Sequence, residues 1–328
     1  MVSHSSVAMA PFGALSPEQQ RQMLALGPRW NDDIIAHRKA VIDCYTPLLA
    51  SAEKSPHVER DLAYGMSARQ VLDVFEPVDA GQAGRADELR EAVLFVHGGA
   101  FVRGNKSVNG EVYDNVCHWF ARQGFVAINV EYRLADEAPW PGGAHDVAQA
   151  IAWVHQHAAH WRIDPSRIFL IGHSAGGTHA ASCLFDPVVT QTRDKLSGDV
   201  AGLVLISARL FADVDPRNPN AGPVRTYFGT DEARYAERSP LTHAACHPVP
   251  TMIAIAEYEN RFLDDYGAAF FQRLLRQRSA APRFVQMRGH NHTSIVAHFN
   301  SGEEWLGREI LAFMASVPRH SRLGGAVG

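Results

Sequence analysis

The sequence predicts an α/β protein built on a mostly parallel, doubly wound sheet. Short apolar runs of β character alternate with helical stretches along most of the chain. The run at 92–96 is apolar without alternation, as a strand covered on both faces requires, and further strands are expected at 125–130, 168–171, 201–206 and 251–256. The 328 residues are 46% hydrophobic and 20% charged, an ordinary globular balance. No internal repeat or low-complexity tract interrupts the pattern, so one large domain with added cap elements fits better than two independent units.

In order, residues 1–15 read as a flexible tail. Residues 16–50 read as a pair of helices, opened by Ser16-Pro17-Glu18-Gln19 with an N-cap and proline at the first helical position. Within 16–57, this helical segment is a candidate lid over a site, or a layer on the outside of the sheet. Strands are expected at 58–64 and 68–77, and a turn at 79–87. The strand at 92–96 runs into His97-Gly98-Gly99-Ala100-Phe101. A helix at 112–122 and the strand at 125–130 follow, ending in Glu131-Tyr132-Arg133-Leu134. A Pro/Gly-punctuated loop at 135–143 leads to a helix at 144–160.

The next strand, 168–171, ends in Gly172-His173-Ser174-Ala175-Gly176-Gly177 and passes straight into a helical run of small residues. After the strand at 201–206 comes an irregular stretch, 207–248, too long for an ordinary crossover and a candidate excursion over the site. The strand at 251–256, a helix at 264–278, a strand at 283–287 and a helix at 303–315 complete the core. Residues 317–328 read as a second flexible tail, leaving 16–316 as the single catalytic domain.

Gly-x-Ser-x-Gly between a strand and a helix describes a sharp turn that presents one serine, Ser174, as a nucleophile. Gly172 and Gly176 are needed because the turn crowds its own backbone. Serine reacts only when a base takes its proton and a third group orients that base. In an open parallel sheet such groups gather beyond the carboxyl ends of strands. The loop after 283–287 offers His290 and His292, of which His292 is favoured as base. The loop after 251–256 offers Glu257, Glu259 and Asp264; Glu259 leads, while Asp264 also suits the first turn of a helix. Gly98 and Gly99, free of side-chain bulk, can bring backbone amides to an oxyanion, with Ala175 as a third donor at a helix N-terminus. Phe101, His173, Tyr227 and His290 are candidate substrate-pocket residues. Tyr132, Arg133 and Asp146 suit loop and helix anchoring.

A net charge of −4 argues against nucleic-acid or anionic-membrane partners. No stretch approaches the apolar length of a membrane span, and the N-terminus lacks a secretory signal, so a cytoplasmic protein is expected. Four scattered cysteines show no metal-ligand or redox spacing. No HExxH or GxxxxGK[ST] motif occurs, and neither a metal nor a cofactor is called for.

These motifs, in this order over about residues 90–300, resemble those of the α/β-hydrolase superfamily. The likeness is to the hormone-sensitive-lipase-like (family IV) esterases and the neighbouring kynurenine-formamidase-like group. Its carriers are His97-Gly-Gly-Ala-Phe101, Glu131-Tyr-Arg-Leu134 with Pro139 and Pro141, Gly172-His-Ser-Ala-Gly-Gly177, and the Glu259 and His292 loops. The resemblance implies Ser174, Glu259 and His292 as triad, and Gly98, Gly99 and Ala175 as oxyanion donors. It departs at His173, where many lipase-like members have Asp, at Ala100 in place of a third Gly, and at Glu259-Asn260 in place of Asp-Pro. The expected activity is a cofactor-independent carboxylesterase for small to medium, fairly apolar esters. An amidase or N-formylkynurenine-type arylformamidase with the same triad is the alternative, and a non-catalytic ligand-binding member of the fold a remote one. The partner is thus a small-molecule ester or amide, and a homodimer is compatible with the sequence.

Overall fold

A computed structural model describes residues 11–77, 89–196, 199–244, 248–277 and 282–319. The turn expected at 79–87 and Cys246 lie outside the described residues. Eight strands form one sheet: β1 (Val58–Ala63), β2 (Val71–Phe75), β3 (Arg90–Val96), β4 (Val126–Val130), β5 (Ile163–His173), β6 (Gly202–Ile206), β7 (Thr251–Tyr258) and β8 (Arg283–Asn291). Their order is β1-β2-β4-β3-β5-β6-β7-β8. β2 runs antiparallel to β1 and β4, and every other pairing is parallel, which is the mostly parallel architecture expected.

The helices are α1 (Pro17–Leu26), α2 (Ile34–Ser51), α3 (Asp114–Arg122), α4 (Gly142–His157), α5 (Ala175–Phe185), α6 (Pro187–Lys195), α7 (Ala221–Phe228), α8 (Pro240–His243), α9 (Leu263–Gln277), α10 (Ser294–Ala297) and α11 (Trp305–Ser316). Because side chains alternate along a strand, each central strand feeds two cores. Phe95, Ile171, Val204 and Ala254 pack with α2, α3 and α11. Leu94, Leu170, Leu205 and Ile253 pack with α4, α5 and α9. Continuous apolar runs were therefore a sound signal of double coverage.

The parallel register brings strand ends to one level. Val96 lies beside Val130 and Gly172, His173 beside Ile206, and Ile206 beside Ala254. Every loop that follows β3, β5, β6, β7 or β8 therefore leaves from the same edge of the sheet.

The helical pair at the N-terminus is present, joined by a 3₁₀ turn at Gly27–Asp32. Ser16 caps α1: its hydroxyl accepts from the Gln19 amide, and the Gln19 side chain accepts from the Ser16 amide. Residues 11–15 do not behave as the tail the sequence suggested. Phe12 and Leu15 are buried, and the Phe12 amide donates to Glu303 Oε1. At the other end Val317 is buried and its carbonyl accepts from Arg167 Nη1 at 3.0 Å. Both expected tail boundaries missed these residues because each packs against distant parts of the chain. The stretch 207–248, expected to be irregular, contains α7, α8 and a 3₁₀ turn at Glu232–Arg234.

Candidate active site

Ser174 sits between the end of β5 and the start of α5, at φ 55° and ψ −119°. A non-glycine residue in that region is strained, and neighbouring bonds must hold it there. The Ser174 amide donates to the Ile206 carbonyl at 3.0 Å, and its own carbonyl accepts from the Arg209 amide at 3.3 Å. The glycine requirement is steric. A Cβ on Gly172 would lie 2.6 Å from the Gly176 carbonyl oxygen, and one on Gly176 would lie 2.2 Å from that of Val96.

His292 follows β8 and is held from both sides. Its amide donates to the Tyr258 carbonyl at 3.1 Å, and Asn291 Oδ1 accepts the amides of Thr293 and Ser294. Its Nδ1–H donates to Glu259 Oε2 at 2.8 Å, which leaves Nε2 as acceptor for the Ser174 hydroxyl at 3.0 Å. Glu259 is buried, and its other oxygen, Oε1, accepts from the Ala256 amide at 2.8 Å and from the Ser207 hydroxyl. Several donors hold this buried carboxylate in a fixed pose.

Ser207 escaped the sequence reading. It lies directly after β6, at the same strand-end level as the others, and no sequence motif marks it. Replacing Ser207 by alanine would leave the buried carboxylate one donor short. The expected loss is about 1–3 kcal/mol of stability, read by urea unfolding; a loss below about 0.5 kcal/mol would show that the contact contributes nothing.

The 3₁₀ turn between α1 and α2 latches the acid loop, a role no local pattern announces. Trp30 Nε1 donates to Asn260 Oδ1 at 2.7 Å, and Asn31 Nδ2 donates to the Glu259 carbonyl at 2.9 Å. The other acid candidates are occupied elsewhere. Glu257 Oε2 accepts the Gly289 amide at 2.6 Å, and Asp264 bonds to backbone amides in the first turn of α9, its pKa raised by burial. His290 is not at the site either. It is buried between Phe12 and His298, with ring centroids 4.9 Å from each, and its Nδ1 meets the Ser294 hydroxyl.

His173 lies at the cleft floor and braces His292. Its Nε2–H donates to the His292 carbonyl at 3.0 Å, so Nδ1 is free to face the Tyr113 hydroxyl, 3.4 Å away. Burial, and then the neighbouring His292, push the His173 pKa well below the usual histidine value, so the ring is neutral. Gly98 and Gly99 close over Ser174. A Cβ on Gly98 would come within 2.9 Å of Ser174 Cβ, and one on Gly99 within 1.8 Å of the Arg103 carbonyl oxygen. Ala175 opens α5, where first-turn amides lack partners within the helix.

A cleft of about 610 Å³ opens over Ser174 and His292. Ile34, Ile35 and Arg38 of α2 form one wall, Gly98 to Ala100 with Arg103 a second, and Pro219, Asn220 and Pro223 a third. Both cap segments seen in the sequence thus reach it. Phe101 and Tyr227 do not line it. They stack on one another, 4.6 Å apart, inside a buried cluster with Phe228 and Tyr235. The positive φ of Phe101 (70°) turns its ring away from the site and into that cluster. His97 is likewise a scaffold residue, stacked on Tyr132 and bonded to Glu131 Oε1 at 3.0 Å. Arg133 and the fully buried Asp146 form the anchoring pair expected of them, at 2.6 Å.

The BD-FAE family model matches residues 72–201. Esterase LipI of Mycobacterium tuberculosis is 39% identical over 155 residues, covering 39% of this chain and 47% of that protein. Lipase 2 of a Moraxella species is 41% identical over 90 residues, 27% of this chain and 20% of that one. The chain thus spans about half or less of the length of these curated relatives. A bacterial heroin esterase superposes with a TM-score of 0.66 at 24% identity, covering 94% of this chain and all of that one. An esterase from the hyperthermophilic archaeon Pyrobaculum calidifontis does so with a TM-score of 0.66 at 24% identity, covering 92% and 97%. The architecture is the α/β-hydrolase fold, with Ser174 on the sharp turn between β5 and α5.

Proposed function

We propose that the protein is a carboxylic ester hydrolase working through an acyl-serine intermediate. The observation that carries this reading is the unbroken line from Ser174 Oγ to His292 Nε2 (3.0 Å) and from His292 Nδ1 to Glu259 Oε2 (2.8 Å). As Ser174 Oγ bonds to the ester carbonyl carbon, its proton passes to His292 Nε2 and the carbonyl π pair moves onto oxygen. The amides of Gly98, Gly99 and Ala175 hold that oxyanion. Its collapse expels the alcohol, which takes the proton from His292. Water, deprotonated by the same ring, then releases the acid. Glu259 orients the ring and stabilises the imidazolium.

Similarity to proteins known as esterases and a lipase favours ester over amide. The small to medium, fairly apolar substrate expected from the sequence suits a wall containing Ile34, Ile35, Pro219 and Pro223. A single catalytic domain over 16–316, with 16–57 and 207–248 as cap elements, is part of the same reading, as is a cytoplasmic location. Among the described residues no helix is long and apolar enough to cross a membrane. The test is labelling with a fluorophosphonate ester. The expected result is one covalent adduct, located by peptide mass on Ser174; no adduct, or one on another serine, would overturn the proposal.

A further inference from the structure

The cleft over Ser174 is faced by two cations that, among the described residues, form no ion pair. Arg38 projects from α2 and Arg103 from the loop after Gly98-Gly99, and both line the space that holds Ser174 and His292. Exposed arginines elsewhere, such as Arg29, Arg217, Arg225 and Arg308, pair with carboxylates at 2.6 to 3.1 Å. Among the described residues neither Arg38 nor Arg103 has an ion-pair partner. The Arg103 side chain hydrogen-bonds the neutral Asn220, Nη2 to Oδ1 at 3.4 Å, and Arg38 bonds to the Tyr113 side chain.

The acids on the cleft wall are committed. Asp32 pairs with Arg29 at 3.1 Å, and Asp33 caps α2 by accepting the Ala36 amide at 3.0 Å. The two guanidiniums also act on each other: burial, and then the charge of Arg38, lower the pKa of Arg103. Arg38 further acts on Tyr113 and His173, both beside Ser174. Two like charges converging on one cleft repel unless an anion lies between them. An arginine fork is shaped for a carboxylate.

We infer that the preferred substrate is an ester that also carries a carboxylate, seated between Arg38 and Arg103 while Ser174 attacks the ester carbonyl. This inference rests on the ester-hydrolase reading and refines its substrate class: an otherwise apolar ester with one anionic end. The carboxylate belongs either to the acyl side, as in a half-ester of a dicarboxylic acid, or to the alcohol side.

Two matched pairs separate these sources. On the acyl side, 4-nitrophenyl hydrogen adipate is compared with methyl 4-nitrophenyl adipate. On the alcohol side, 4-carboxyphenyl butyrate is compared with its methyl ester. The expected kcat/KM ratio, anionic over neutral, is at least tenfold in one pair, falls in 0.5 M salt, and drops about tenfold in Arg38→Gln/Arg103→Gln. Using a ratio cancels any general damage to the cleft. A ratio near or below one in both pairs, or one the double variant leaves unchanged, would overturn the inference. If no ester is turned over, the hydrolase reading fails separately, and calorimetric titration with adipate then decides. Binding that the double variant weakens at least tenfold supports the anion site, and equal or absent binding removes it.

Discussion

Ser174→Ala is expected to lower kcat for 4-nitrophenyl butyrate roughly 10⁴- to 10⁶-fold without unfolding the chain. The hydroxyl is the only part of Ser174 that faces the substrate, whereas the turn is held by backbone bonds to Ile206 and Arg209 and by the close approach of Gly172 to Gly176. Alanine keeps the Cβ and accepts the same φ of 55° no worse than serine does. His292 and Glu259 would remain paired at 2.8 Å but would have no proton to take. Removing Ser174 and His292 together should therefore cost little more than removing Ser174 alone, because the residues act as a unit. Circular dichroism would verify the fold. Activity within tenfold of the unmodified enzyme would move the nucleophile elsewhere.

Acidification from pH 7 to pH 5 should destabilise the fold steeply through its buried histidines. Burial lowers the pKa of His118 and His298 to about 4 and of His179 to about 3, and pushes those of His173 and His290 well below the ordinary 6.5. Above pH 6.5 these rings are neutral both folded and unfolded, and they contribute nothing to the pH dependence. Below it the unfolded chain takes up protons that the folded chain refuses, so stability falls as pH falls. The loss continues down to about pH 4 for His118 and His298 and about pH 3 for His179, then levels off.

Each histidine contributes a loss of up to about 1.4 kcal/mol per pH unit, or about 2 kcal/mol by pH 5. Buried Asp114, Asp186 and Glu303 have raised pKa values and work the other way, offsetting part of this loss. Several histidines acting together still represent a large share of the stability of a typical domain. Urea unfolding at pH 7, 6 and 5 would read the slope. A flat profile would show that the buried rings do take up protons in the folded state.

Local pattern determined the architecture and the serine elbow. Strands covered on both faces exclude polar residues, so 92–96, 168–171, 201–206 and 251–256 stood out as a doubly wound sheet. The elbow was legible because its steric demands fall on neighbours in sequence, Gly172 and Gly176 around Ser174. Strand-end logic also named His292 and Glu259, since parallel register brings the ends of β5, β7 and β8 to one edge.

Tertiary structure alone decided the rest, because those contacts join residues far apart in sequence. Ser207 meets Glu259 across two strands, and Trp30 and Asn31 reach the acid loop from 228 or more residues away. Phe101 and Tyr227 look like pocket aromatics in sequence, yet they satisfy each other in a core. Arg38 and Arg103 look like ordinary surface charges until the fold brings α2 and the Gly98-Gly99 loop to one cleft. A strand or a sharp turn declares itself through its immediate neighbours. The placing of a charge beside a distant serine depends on how the whole chain packs.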